Sequence, residues 1–304
     1  MLRHFGYACI ALDGPASTNR GTVLRNATPE RLLELTARNL DGLHAVLKYN
    51  VSIGVQLFRV SSQVVPFGSH PVNTTRWWDV FADELAALGR FIRHHEMRVS
   101  MHPGQYTLLS APDPKVLAAS IRDLEFHARL FDTMDLDTTH KLVTHGGGLY
   151  GDRAAAHTRW AANYAALPES IRRRLILEND ERLYGANDVL ELAARTGVPV
   201  VFDVFHHRVM AGSDQRLPAL LAAAFATWDP ITDGLPKVHL SSQAPTQRPG
   251  AHAAYVEAAD LETFLAVAPL APDFDCMLEA KAKERALLEL RRSSALRPAR
   301  SGAG

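Results

Sequence analysis

The feature that most constrains this chain is an alternation. Eight short apolar runs each precede a longer segment of helical periodicity, with no composition break in the series. The runs are Phe5 to Cys9, VQLFRV at 55–60, RVSMH at 98–102, KLVTH at 141–145, RLILE at 174–178, PVVFD at 199–203, KVHLS at 237–241 and FDCMLEA at 274–280. The helical segments begin near Thr28, Asp79, Asp113, Ala154, Asp188, Leu217, Ala258 and Lys281. Two of them carry clear start signals, Thr28-Pro29 and Asp113-Pro114, a capping side chain followed by proline in the first turn. Continuous apolar strands alternating with helices predict a parallel sheet covered by helices. Eight such units in 304 residues predict a single α/β domain over residues 1–290, a (β/α)8 TIM barrel. A doubly wound open sheet is the competing architecture, but no glycine fingerprint follows the first strand and no phosphate loop is present. Residues 291–304, rich in Arg, Ser, Ala, Pro and Gly, read as a disordered basic tail.

The chemistry lies in what ends each run. His70 follows the second strand in PFGSHP. His102 and His145 end the third and fourth, in MHPGQY and THGGG. Glu178 ends the fifth in LEND, and Asp203 the sixth, followed by His206 and His207 in DVFHH. His239 lies on the seventh, with His252 a short loop later, and Glu279 ends the eighth in LEAK. In a barrel the C-terminal strand ends face one pocket. Carboxylates and imidazoles converging there without a cation would be costly to desolvate. Divalent ions resolve that cost, and mixed nitrogen and oxygen donors suit manganese, zinc and related metals. Three carboxylates and six histidines, counting one of the adjacent pair His206 and His207, exceed one site and imply two or three ions, with Glu178 and Glu279 placed to bridge them. Such a cluster suits phosphate-ester hydrolysis and is equally compatible with metal-assisted sugar isomerisation, so the barrel alone does not choose.

Lys237 lies two residues before His239 and shares its face of the strand. It reads as a phosphate-binding cation, a general acid, or a carbamylated bridging ligand. Gln105 and Tyr106 follow His102 on a rim loop, where an amide beside an aromatic can fill a gap in a duplex and stack on a base. Tyr7, at the end of the first strand, points into the core or at the mouth. Arg59, Arg76, Arg153, Arg182, Arg208, Lys237 and Arg248 fall near strand ends and are expected to form a basic lip. The whole chain is neutral, with 33 basic and 33 acidic side chains, which argues against whole-chain polycation behaviour but not against a local groove. Two cysteines, Cys9 and Cys276, far apart in sequence, read as buried thiols. With no apolar stretch of membrane length, a soluble cytoplasmic protein is expected.

Taken together, the motifs resemble the UV damage endonucleases. The matching stretches are GYAC at 6–9, FRVSSQVVPFGSHP at 58–71, SMHPGQY at 100–106, THGGGLYG at 144–151, LEND at 177–180, FDVFHH at 202–207, PKVHLSSQ at 236–243, RPGAHA at 248–253 and LEAKAKE at 278–284. They occur in family order, and only their combination is specific. The resemblance implies a barrel that cuts damaged double-stranded DNA immediately 5′ to a UV photoproduct or certain other lesions, leaving a 3′-hydroxyl. It implies metal ligands at His70, His102, His145, Glu178, Asp203, His206, His239, His252 and Glu279, holding three divalent metal ions. Manganese (Mn2+) is the first expectation, with Zn2+, Co2+ or Mg2+ as alternatives. It also implies a modified Lys237, a probing pair Gln105 and Tyr106, and a lesion-site Tyr7. Arg59 is expected at the lesion, and Lys237, Glu178, Glu279 and His239 at the reaction centre. A monomer without an obligate protein partner is expected. One departure falls at Ala11, where the family usually has an asparagine that helps position the damaged nucleotides. A sugar isomerase or epimerase, and a lesion-binding barrel without incision activity, are the competing functions.

Overall fold

The computed structural model describes residues 1–293. Eight strands close in sequence order into a parallel barrel: β1 Leu2–Cys9, β2 Leu57–Val60, β3 Arg98–Met101, β4 Lys141–His145, β5 Leu175–Glu178, β6 Val200–Asp203, β7 Lys237–Leu240 and β8 Phe274–Leu278. The expected fold is therefore the observed one. The principal helices are Pro29–Ser52, Ala82–His94, Pro114–Thr133, Arg153–Ala165, Ala186–Thr196, Leu217–Phe225, Ala258–Leu265 and Lys283–Arg292. The sequence-encoded caps are made: Thr28 accepts from the Arg31 N–H and Asp113 from the Lys115 N–H, each satisfying a donor the helix leaves unpaired.

Strand side chains alternate between the helix layer and the barrel interior. Outward residues such as Tyr7 and Phe58 pack edge to face, 5.1 Å between ring centroids, in the layer beneath the helices. Inward residues form tiers. The floor is ionic: Arg98 donates to Asp275 at 2.9 Å, Asp275 contacts His4 at 2.8 Å, and Lys141 donates to Asp233 at 2.5 Å. Above it Val143, Ile176 and Val201 form a small apolar plug with Trp228. Two positions further along those strands His145, Glu178 and Asp203 form the mouth. Close approach of backbone is needed outside the barrel too. A Cβ on Gly89 would lie 1.7 Å from the Met134 carbonyl oxygen, so the helix Ala82–His94 seats there only with glycine.

The first strand begins at Leu2, three residues before the expected start, and a helix Val204–Ala211 that the periodicity did not reveal follows β6. The last helix continues through Arg292, and Arg291 donates to the carbonyls of Ile53 and Gly54 at 3.1 and 2.9 Å. Two residues assigned to the tail are thus part of the barrel's outer layer. The rest of that tail, 294–304, lies outside the described residues. Cys276 is buried, but Cys9 is only partly so. Among the described residues no helix is long and apolar enough to cross a membrane.

Candidate metal centre at the barrel mouth

Glu178 is the hub of the mouth. Its buried carboxylate takes a 2.6 Å hydrogen bond from His239 Nδ1 on one oxygen, and its other oxygen lies 3.1 Å from His102 Nε2. His145 lies 3.8 Å and His206 3.9 Å away. Two groups have donor atoms close enough to share one ion, His102–His145–Glu178 and Glu178–Asp203–His239, and Glu178 belongs to both. The imidazoles run around the rim as neighbours: His102 to His145 at 5.0 Å, His145 to His206 at 6.2 Å and His206 to His252 at 5.6 Å between centroids. Glu279 closes the circle, 3.4 Å from His239 and 3.7 Å from His252.

Backbone carbonyls fix the tautomers. Nδ1 of His102 faces the Pro103 carbonyl at 3.0 Å, Nδ1 of His206 that of Asn179 at 3.2 Å, and Nδ1 of His252 that of Glu279 at 2.8 Å. Each Nδ1–H donates, so each Nε2 keeps a lone pair for an ion. Asp203 caps the helix Val204–Ala211 by accepting the His206 N–H at 2.7 Å on Oδ1, which leaves Oδ2 buried with no hydrogen-bond partner. His145 Nδ1 and Lys237 Nζ are orphaned in the same way. Bound divalent cations fit this donor set, because every orphan except the amine is a lone-pair donor of the type that ligates them.

The electrostatics agree. Burial, reinforced by Glu178 and Glu279, pushes Asp203 well above the usual carboxylate range. Burial acts the same way on Glu178, but the neighbouring imidazoles of His239, His145 and His102 outweigh it and hold it well below. Against burial, the carboxylates of Asp203, Glu178 and Glu279 raise His206 to about 9. Burial, with Arg98 and Arg59 nearby, drives the Lys237 amine well below its ordinary value.

Eight of the nine expected ligands converge. His70 does not: it is exposed, stands beside Phe67, and its Nδ1 accepts the Val72 N–H at 3.0 Å, which places the proton of the neutral ring on Nε2. Its PFGSHP loop lies outside the strand and so is not aimed by the barrel. Tyr7 is also displaced from its expected role. It has the opposite parity from Ala8, which pairs with inward-facing Arg59, so it points to the helices, fully buried, and donates to Asn50 Oδ1 at 2.5 Å. Arg59 is not on the lip. It is buried inside the mouth, donates to His239 Nε2 at 3.0 Å, and lies 2.6 Å from Glu279 Oε1, close but not aligned as a hydrogen bond. His207 turns away from the cluster toward Asp214, 3.6 Å distant.

The basic lip is largely neutralised. Arg76 pairs with Asp79, Arg153 with Asp188, Arg182 with Glu181 and Arg208 with Asp260, and Lys237 is buried. Arg248 alone of the seven stands exposed with no carboxylate within 4.0 Å among the described residues. Gln105 and Tyr106 are exposed, Tyr106 to 79%, and their loop borders a cavity of about 340 Å³ reaching His145, Gly147 and Glu181.

Three side chains escaped the sequence reading. Asn179 ties β5 to β6 through paired 2.9 Å bonds with the Asp203 backbone. Asp180 accepts the N–H groups of Arg182, Leu183 and Tyr184 and fixes the loop. Glu181 lies 4.0 Å from His206 Nε2. The signal for all three was their place within or just after LEND, directly beyond a ligand.

Comparison with known proteins agrees with this geometry. A family model described as UV-endonuclease UvdE matches residues 3–299. A UV DNA damage endonuclease of Clostridium perfringens is 35% identical over 280 residues, 92% of this chain and 68% of that relative. One of Bacillus cereus (strain Q1) is 32% identical over 298 residues, 95% of this chain and 93% of that relative. The crystal structure of SacUVDE superposes with a TM-score of 0.88 at 31% identity, covering 94% of this chain and 96% of that one. Endonuclease IV from Thermus thermophilus, at 14% identity and a TM-score of 0.58 over 95% and 98% of the two chains, shares the fold.

Proposed function

The chain belongs to the UV-endonuclease UvdE family, and on that premise we propose how the barrel mouth acts as a metal-dependent DNA repair endonuclease on UV lesions. The observation that carries the reading is Glu178, shared by two groups of donors able to hold an ion, beneath an exposed glutamine and tyrosine. When bound, divalent cations supply Lewis acidity for phosphodiester hydrolysis. Three ions, manganese first, are the proposed complement, held by His102, His145, Glu178, Asp203, His206, His239, His252 and Glu279, with His70 joining through movement of its loop. Carbamylation requires a neutral amine, which the burial of the unpaired Lys237 amine favours, and the modified side chain would lie on the face of the strand that carries His239.

The remaining roles fall to the rim. Gln105 and Tyr106 enter the duplex and fill the stack vacated when the lesion turns outward. The cavity beside them receives the displaced nucleotides, and the glycines at 146–148 allow close approach of the strand. Water adds at the phosphorus on the 5′ side of the lesion and the bond to the 3′-oxygen breaks. The upstream strand keeps a 3′-hydroxyl and the lesion strand a 5′-phosphate. Arg59 holds Glu279 and His239 in place from inside the mouth. The protein is proposed to act as a cytoplasmic monomer.

The deciding assay uses the full chain, a duplex with one cyclobutane dimer, and added Mn2+. A single nick 5′ to the dimer is expected. Absence of incision under every divalent metal tried would refute the reading. Binding without incision would favour a lesion-binding barrel.

A further inference from the structure

The helix Pro114–Thr133 carries three polar residues on one face of its otherwise buried side, Ser120, Asp123 and His127, spaced i, i+3, i+7. Together they reach the two connections that follow β2 and β3 at the mouth. Ser120 Oγ accepts the Leu108 N–H at 2.8 Å. His127 Nδ1–H donates to the Asp123 carbonyl at 2.6 Å, so its Nε2 accepts from Ser62 Oγ at 2.8 Å, and that hydroxyl also lies 3.0 Å from the His102 carbonyl. Asp123 does most. One carboxylate oxygen accepts from Ser69 Oγ at 2.7 Å and the other from Thr107 Oγ1 at 2.7 Å. Ser69 precedes His70, and Thr107 follows Gln105 and Tyr106. Among the described residues no lysine or arginine lies within 4.0 Å of Asp123, so its charge is directed at the two hydroxyls.

We infer that Asp123 is a positioning residue that couples the lesion-probing loop to the loop of His70. The inference rests on the endonuclease reading for the roles of those loops, but the clamp itself is geometric. A carboxylate accepting from both sides makes two charge-assisted hydrogen bonds, and displacement of either loop is felt by the other. Entry of Gln105 and Tyr106 into a duplex then bears on where His70 stands. The two halves of the site are linked through one side chain that touches neither metal nor DNA.

The test separates the two contacts. Full-length wild type and the variants Ser69→Ala, Thr107→Val and Asp123→Ala are stripped of metal. Mn2+ binding is measured by calorimetry. Binding of a dimer-bearing duplex with a non-hydrolysable 5′ linkage, relative to its undamaged counterpart, is measured by anisotropy. Ser69→Ala, which frees the loop that His70 must move to join the other donors, is expected to shift the affinity of the last-filled Mn2+ site about tenfold with lesion preference retained, and Thr107→Val to cut lesion preference about tenfold with Mn2+ binding retained. Asp123→Ala is expected to do both. An Asp123→Ala protein with wild-type Mn2+ affinity and lesion preference, or with a lowered melting temperature alone, would overturn the inference. If that variant does not fold, wild-type behaviour of both single-contact variants overturns it equally. A wild type that never nicks the hydrolysable duplex sinks the endonuclease reading instead, and the Mn2+ arm still decides whether Ser69 and Asp123 hold the His70 loop.

Discussion

Lys237 offers a test in which stability and activity move in opposite directions. The side chain is 1% exposed, and its Nζ has no hydrogen-bond partner among the described residues. Its charged neighbours are Arg98, Arg59 and Lys141, with only Asp275 of opposite sign. Replacing it with methionine keeps the length and flexibility of the side chain and removes the orphaned polar atom. A buried polar group without a partner costs about 1–3 kcal/mol, so Lys237→Met should stabilise the metal-free protein by about that amount. For a chain of this size about 2 °C of melting temperature accompanies each kcal/mol, giving a rise of about 2–6 °C in EDTA. The same variant should lose incision by roughly two orders of magnitude or more, since a group whose removal relieves strain is kept for function. The assay pairs thermal unfolding of metal-stripped wild type and variant with nicking of a dimer-bearing duplex in Mn2+. A variant that melts lower in EDTA would mean the amine has a stabilising partner. One that melts higher but cuts normally would remove Lys237 from the mechanism.

Three further outcomes are expected. Glu279→Gln should abolish incision while circular dichroism stays close to wild type, and the EDTA melting temperature should fall because buried Arg59 loses its carboxylate neighbour; retained nicking would exclude Glu279 as a ligand. Tyr106→Ala should weaken binding of the lesion duplex by about 1–3 kcal/mol, the value of a lost stacking contact, with Mn2+ binding by calorimetry unchanged. His140 gives a pH dependence away from the metal site. Burial, opposed by Asp137 and aided by Arg174 and Arg98, lowers it to about 4, and its Nδ1 accepts the Val99 N–H at 3.1 Å. Between that value and its unfolded pKa of about 6.5 the unfolded chain binds the extra proton. Its contribution is therefore full above pH 6.5 and falls by up to about 3 kcal/mol as the pH drops toward 4. His140→Gln should remove about one proton from the slope of urea-derived stability against pH across that window; an unchanged slope would exclude His140 as its source.

The barrel was legible because its signal is repeated eight times, and a run such as KLVTH at 141–145 coincides with β4 to the residue. The converging donors were legible for the same reason: a polar residue ending an apolar run lands at the mouth wherever the strand stops. What failed was parity. Tyr7 and Arg59 both sit near strand ends, but facing is set by pleat and by register with neighbours, and β1 supplied too little polar alternation to reveal it. His70 lies in a loop, where no periodicity aims a side chain. The helix Val204–Ala211 was hidden because its residues read as an extension of β6. Asp123 was legible in principle, as the centre of a polar stripe on a buried helical face, but a carboxylate in a helix reads first as solvated surface.

The pairing of the mouth arginines with Asp79, Asp188, Glu181 and Asp260 carries a consequence for supply. Four of the seven basic side chains expected at the lip are committed to the chain's own acids, so, on the proposed reading, attraction for a polyanion would arrive largely with the bound ions. A protein starved of metal would be inactive and also largely absent from the chromosome, leaving lesions free for other repair routes rather than blocking them. Metal availability would then set how many molecules patrol DNA as well as how fast each one cuts.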